Sequence, residues 1–497
     1  MNISKYQQLA GMLLILTFSI GAFAATEQAT SSGPSNALSG SYDIGGGGAD
    51  FVDLAAAISK ILTVGMDAPV QFNLKPGTYS THVTITDITR HGQYDDWLTI
   101  QSEDPNDPAI LEHDASSTSY NWLIRFDYTK FIKLENLVMQ ATGMADFSTV
   151  VSLENNSSYI EIINNEINGY TISNTAPDED GYLLLNQTNS YLNNILIHNN
   201  TFNGGNGAVK FSGDLSGYIS GVSITDNQFY DQEGTGNDFV VEIDKVRNVL
   251  VYKNLINNST QNAGGMRLFR VDEGVISANR ISMLGGGTGS VGLSLSNTNR
   301  GLDETVVVKN NFILAAHSPL YIQGNNTRNV SVFNNSVMAD GPWVVPNTFP
   351  AALFVDESTE NIIIQNNVLT NLQADDSAYA MIIKNSSTVT FSDNNVFHHE
   401  SLNQFLVDGV EYANLTDYQM STGMDTGSSD ERIQFVNETA GDLHLAPAQY
   451  TNPTLFTSSI SEVTYDIDGE LRATPITLIG ADDLNADVIF NNGFDLF

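Results

Sequence analysis

The sequence predicts an all-β solenoid, a stack of about ten parallel coils, and three observations predict it. From Val70 almost to the end, short runs rich in Val, Ile, Leu and Phe alternate with Gly, Asn, Asp and Ser clusters, the pattern of short strands and turns. The pattern apolar-x-apolar-x-x-Asn-x-apolar returns at Asn165, Asn200, Asn227, Asn254, Asn279, Asn311, Asn335, Asn367 and Asn395, with spacings of 35, 27, 27, 25, 32, 24, 32 and 28 residues. Of the 52 asparagines, 39 fall between positions 155 and 395, so asparagine recurs at one place in a repeated unit.

The elements follow in chain order. Lys5, the apolar run Gly11 to Ile20 and Ala22-Phe23-Ala24 before Ala25 have the form of an export signal, so residues 1–24 are expected to be removed and the mature chain to be secreted or held at the cell surface. Residues 25–48, Ser, Gly and Thr rich and ending in four glycines, read as a flexible linker. Phe51, Leu54, Ala55, Ile58, Ile61 and Leu62 then recur at helical spacing, which predicts a capping helix within 49–66. From 67 to 428 the strand pattern holds. A second apolar run accompanies the Asn motif in most units, as in Ala208 to Phe211, Phe239 to Ile243 and Met266 to Phe269.

A unit of two or three short strands cannot bury its apolar face alone, whereas stacked units bury a continuous column. An asparagine at a coil corner tolerates a left-handed turn and can bond to the asparagine of the next coil, forming a ladder. At about 4.8 Å per coil, nine repeats make a rod of roughly 43 Å. The helix would cover the strand edges at one end, and residues 429–497 would form a C-terminal cap and tail.

Composition narrows the function. Twenty Lys and Arg against 57 Asp and Glu give a formal charge of −37, a field that repels nucleic acid, and no nucleic-acid partner is expected. Absence of cysteine excludes disulfides, thiolate metal sites and a Cys nucleophile. After the export signal no segment reaches the roughly 20 apolar residues of a transmembrane helix. A monomer is expected.

Asn73-Leu74-Lys75-Pro76-Gly77-Thr78-Tyr79, Gly441-Asp442-Leu443-His444-Leu445, Asp466-Ile467-Asp468-Gly469-Glu470-Leu471-Arg472 and Ile479-Gly480-Ala481-Asp482 resemble the opening and closing segments of secreted bacterial right-handed parallel β-helix proteins with the pectin-lyase fold. That class includes lyases, hydrolases, epimerases, tailspikes and adhesins. The resemblance implies a right-handed coil whose exposed sheets suit polysaccharide.

Basic residues are scarce, yet Lys245, Arg247, Lys253, Arg267, Arg270 and Arg280 put six of 20 within 36 residues. Counting back from the ladder, Lys245 and Arg270 each lie nine residues before their asparagine, so they should occupy equivalent places on adjacent coils. The same count sets Glu242 beside Arg267 and Arg247 beside Asp272. These two pairs read as cross-coil salt bridges, each worth up to about 1 kcal/mol. Lys245 over Arg270 is a like-charge pair, which an anionic substrate between them would relieve, as would Asp244 or splaying into solvent.

Val241-Glu242-Ile243-Asp244-Lys245 and Gly264-Gly265-Met266-Arg267-Leu268-Phe269-Arg270 also resemble, more faintly, the chondroitinase B and alginate lyase family. The resemblance implies β-elimination on a uronate polysaccharide with Lys245 as base and Arg270 as acid, and Arg247, Arg267, Lys253 and Arg280 as substrate contacts. It also implies a calcium ion, for which Asp238, Glu242 and Asp244 are candidates by proximity. Val246 and Val271-Asp272 stand where the family has a Ser after the Lys and a His-Gly after the Arg. The other reading is a non-catalytic, adhesin-like surface rod. His91, His113, His198, His317 and His398-His399 lack the spacing of a zinc site or triad, and Asp178-Glu179-Asp180 and Asp375-Asp376 read as loop turns.

Overall fold

The computed structural model describes residues 36–483, apart from 116–120, 143–147, 171–180, 187–190, 215–216, 234–237, 259–263, 286–290, 300–303, 325 and 342–349. The expected export signal, the acidic run at 178–180 and the tail beyond 483 lie outside the described residues. Among the described residues three sheets of thirteen strands each run along the molecule, and successive chain turns add one strand to sheet A, one to sheet B and one to sheet C in rotation. Within these sheets neighbouring strands pair in parallel except where the hairpin strand Val410–Tyr412 closes sheet C. The fold is therefore an all-β parallel solenoid.

Its core follows from alternation along each strand. Ile195, Val222, Val249, Gly274, Val306, Val330 and Ile362 stack in register in sheet A, as do Ile197, Ile224, Val251, Ile276, Val308, Val332 and Ile364 two residues on. The side chains of the second column are fully buried. Each such burial contributes about 1.5–3 kcal/mol, and β-branched residues suit the pleat.

The asparagines form the expected ladder. Asn200, Asn227, Asn254, Asn279, Asn311, Asn335 and Asn367 each accept through Oδ1 from the backbone N–H and side-chain amide of the asparagine one coil before, at 2.9–3.1 Å. Asn395 receives the same pair from Asn367. The left-handed turn, however, falls on the residue before each ladder position: Asn164, Asn199, Asp226, Lys253, Ala278, Asn310, Asn334, Asn366 and Asn394 have φ between 49° and 60°. The ladder amide is needed inward to bond carbonyls, so the preceding residue turns the corner. At the last coil Asp425 and Ser428 take over, accepting from Asn395 Nδ2 at 2.9 Å and N–H at 2.8 Å.

Part of the stretch expected to be a linker is ordered. Leu38–Ile44 is a strand at the edge of sheet A, paired with Met66–Leu74, because Leu38 and Ile44 are buried and Tyr42 packs on Phe51 and Phe72. Helix α1, Leu54–Val64, starts where Asp53 accepts from Ala56 N–H at 2.8 Å and stops at Gly65, whose φ of 72° ends the helical geometry. Its Leu54, Ala57, Ile58 and Ile61 are buried in the core. At the other end helix α2, Leu415–Thr422, lays Tyr418 on Phe405 with ring centroids 4.4 Å apart.

The closing segment does not sit over the last coil. Residues 430–483 turn back along the flank, where Ile433, Phe435, Leu443, Leu445, Leu455 and Leu478 pack on Phe312, Leu314, Met338, Val368 and Val396. Outward-facing apolar residues of sheet B need cover, and this strap supplies it. Buried Arg472 rivets it, donating to Asn310 Oδ1 at 2.8 Å and to the carbonyls of Gly480 and Ala481 at 2.7 and 2.8 Å.

Candidate functional site

Strands Gly207–Ser212, Phe239–Asp244 and Gly264–Phe269 lie side by side in sheet C. Their inward residues Val209, Val241 and Met266, and Phe211, Ile243 and Leu268, fill the core, which turns the alternate residues outward. One outward row is Lys210, Glu242, Arg267; the next is Ser212, Asp244, Phe269. Lys245 and Arg270 follow directly, on equivalent left-handed corners with φ of 52° and 55°. Lys245 N–H donates to Phe269 O at 3.0 Å, continuing the register.

The first row is an ion network. Glu242 lies 2.7 Å from the Arg267 guanidinium and 4.0 Å from Lys210 Nζ, and accepts from the Tyr182 hydroxyl at 3.1 Å. Burial, with the Glu242 and Asp238 charges, pushes the Tyr182 phenol well above its ordinary value, so it stays a donor. Lys210 lies over the Tyr182 ring and Arg267 over Phe239, at 5.1 and 5.0 Å from the centroids. In the second row Asp244 receives Arg270 in a two-pronged pair, with Nε to Oδ1 at 2.7 Å and Nη2 to Oδ2. Lys245 Nζ turns the other way, to the carbonyl of Asp214 at 3.0 Å. The like-charge contact is thus relieved by divergence, with Asp244 facing Arg270.

The other basic residues part company with these. Arg247 lies beside Asp272 in sheet A, 3.5 Å away, with its guanidinium 4.5 Å from the Tyr218 ring centroid. Lys253 and Arg280 meet the strap, Lys253 at Asp468 O and Arg280 at the Asp468 carboxylate, 3.5 and 2.7 Å away. Their expected place among substrate contacts in one patch with Lys245 is corrected: the corner they occupy is the one on which the strap folds. Lys210, missed in the sequence, joins the patch instead. It lies 17 residues before its ladder asparagine, whereas Glu242 and Arg267 lie 12 before theirs, so the extra loop after Ser212 hides its register.

Calcium does not fit the candidate carboxylates. Glu242 and Asp244 share a face of one strand, but each is already closed by a guanidinium, which a divalent cation would have to displace. Asp238, just before the strand, is buried near Tyr182. Among the described residues one group of three carboxylates lies close enough to share an ion, Asp466, Asp468 and Asp482, in the strap. There Asp468 accepts from His444 Nε2 at 2.9 Å and from Arg280, while Asp466 accepts the N–H of Asp468 and Glu470. Burial alone would lower the His444 imidazole, but hydrogen bonds to Asp468 and Asp442 and nearby carboxylate charge push it up to about 9.

No family model matches this chain, and no curated protein does. Solved structures resemble the chain at low identity, each with a TM-score below 0.5. A GH136 lacto-N-biosidase from Eubacterium ramulus is 10% identical over 79% of this chain and 67% of its own, with a TM-score of 0.43. Pectate lyase Pel9A is 14% identical over 90% and 97%, with a TM-score of 0.41. A mannuronic acid specific polysaccharide family 6 lyase from human gut microbiota is 14% identical over 73% and 86%, with a TM-score of 0.38. Among the described residues no helix is long and apolar enough to cross a membrane.

Proposed function

We propose that the chain is a polysaccharide-active β-solenoid whose sheet C takes a uronate polymer and cleaves it by β-elimination at Lys245 and Arg270. The observation that carries this reading is the concentration of Lys210, Lys245, Arg267 and Arg270 on three adjacent strands and their corners, in a chain of charge −37. A carboxylate-bearing chain laid along the rows meets guanidinium and ammonium groups where most of the surface would repel it. Arg267 and Lys210 would hold the sugar carboxylate, with no calcium required. Lys245 Nζ, which donates to the Asp214 carbonyl at the rim, would in its uncharged amine form take the proton from the carbon beside that carboxylate. The electron pair forms the new double bond, the glycosidic C–O bond breaks, and the departing oxygen takes a proton from Arg270. For that step Arg270 has to exchange its contact with Asp244 for one with substrate.

That same contact favours a second reading, a non-catalytic surface rod in which Arg270 only ties adjacent coils. Incubation of the mature chain with alginate, pectate and chondroitin, followed by ultraviolet absorbance of unsaturated ends, separates the two. The lyase reading expects signal on at least one polymer and a loss of about 10²–10⁴-fold in Lys245→Ala with unchanged stability. No signal on any of them, or full activity in Lys245→Ala, overturns it.

A further inference from the structure

We infer that the C-terminal end of sheet C carries a second saccharide subsite, built around Lys384, for a more distant residue of the same anionic chain; the inference rests on sheet C being a uronate-polymer surface. The row that holds Arg267 continues in register through Ser294, Tyr321, Phe354 and Ile382 to Leu406. Beyond Arg267 it carries no charge. It ends at a cavity of about 370 Å³ lined by Leu406, Lys384, Gly409 and Glu411, with Ile382 and Tyr379 buried behind them.

The cavity has the two halves that an acidic sugar needs. A pyranose has an apolar C–H face, which the partly exposed Leu406 side chain fits, and a uronate adds a carboxylate, which needs a cation at the rim. Lys384 is exposed, with Nζ 5.6 Å from the Phe354 ring centroid, and among the described residues it forms no ion pair. Lys210, Arg267 and Arg270 by contrast each face a carboxylate. Glu411 is held at the edge by the Tyr379 hydroxyl and Asn403 Nδ2, both at 2.9 Å. Asp408, which follows the next strand, is taken by the N–H and hydroxyl of Ser386 at 2.7 and 2.6 Å. From Arg267 to Ile382 is four strand spacings, about 19 Å. A chain that reaches both ends crosses the partly exposed Tyr321 ring on the way.

The test is calorimetric binding of size-fractionated oligouronates from alginate and pectate to the full chain. Lys384→Ala should weaken oligomers long enough to span the four spacings about fivefold, and disaccharides not at all, and Lys384→Arg should restore binding. Lys60→Ala, which removes the same charge from the surface of α1, should leave both unchanged. Equal weakening of short and long oligomers, an equal effect of Lys60→Ala, or no effect of Lys384→Ala on long oligomers that the wild type binds, overturns the subsite while leaving the reading of sheet C intact. A wild type that binds no oligouronate of any length overturns both.

Discussion

Removing one rung of the asparagine ladder in mid-stack should cost more than any surface change of the same size. Asn279 donates through Nδ2 to Val251 O, Ser277 O and Asn311 Oδ1 at 2.9–3.1 Å, and its Oδ1 accepts from the Asn254 N–H and Nδ2 at 3.1 and 3.0 Å. Asn279→Ala leaves the buried N–H of Asn254 with no acceptor, which costs about 1–3 kcal/mol, and forfeits further bonds worth about 1 kcal/mol each. Net of relaxation, a loss of about 3–5 kcal/mol is expected. Asn257→Ala, the same substitution at an exposed strand position on a neighbouring coil, should cost under about 0.5 kcal/mol. Urea unfolding followed by far-ultraviolet circular dichroism measures both. Because each coil contacts only its neighbours, Asn279→Ala should also broaden the transition as the stack divides at the defect. If Asn279→Ala unfolds within about 1 kcal/mol of Asn257→Ala with an unchanged slope, the ladder is not a source of stability and the argument from buried amides fails.

Two further outcomes are expected. His444 is raised in the folded chain to about 9, so its protonated form stabilises the strap fully below the ordinary value near 6.5, and that contribution should fade as pH rises through 9. Allowing for screening at a partly exposed site, about 1–2 kcal/mol should disappear over that window, and His444→Gln should flatten the profile; a strap equally resistant to proteolysis at pH 6 and pH 10 would refute the pairing with Asp468. Deleting residues 36–64 uncovers the edge strand Met66–Leu74 and the end of the core, so light scattering should report aggregation; a soluble, folded deletion would show that α1 is dispensable as a cap.

What repeats was legible in the sequence. The corner asparagines, the pairs Glu242–Arg267 and Arg247–Asp272, and the equivalence of Lys245 and Arg270 all follow from counting back to the ladder, because stacking copies each coil's register onto the next. The helix at Leu54–Val64 was equally visible, since its period and its Asp53 and Gly65 ends are local. The count fails wherever a loop changes length, as it does between Lys210 and Asn227, and it says nothing about where a long side chain goes once it leaves the strand.

Only the tertiary structure decided those matters. Arg270 folds back on Asp244 of the preceding coil while Lys245 turns to the Asp214 carbonyl, a choice made by side-chain torsions that no period encodes. Lys253 and Arg280 are drawn to Asp468, 215 and 188 residues further on, because the strap packs on the apolar outer face of sheet B. The solenoid's register is a property of near neighbours and so is written locally in the chain. The closing of its flank, and with it the division of one basic cluster between a sheet C patch and a structural clasp, depends on contacts between segments far apart in sequence, which exist only once the coils have stacked.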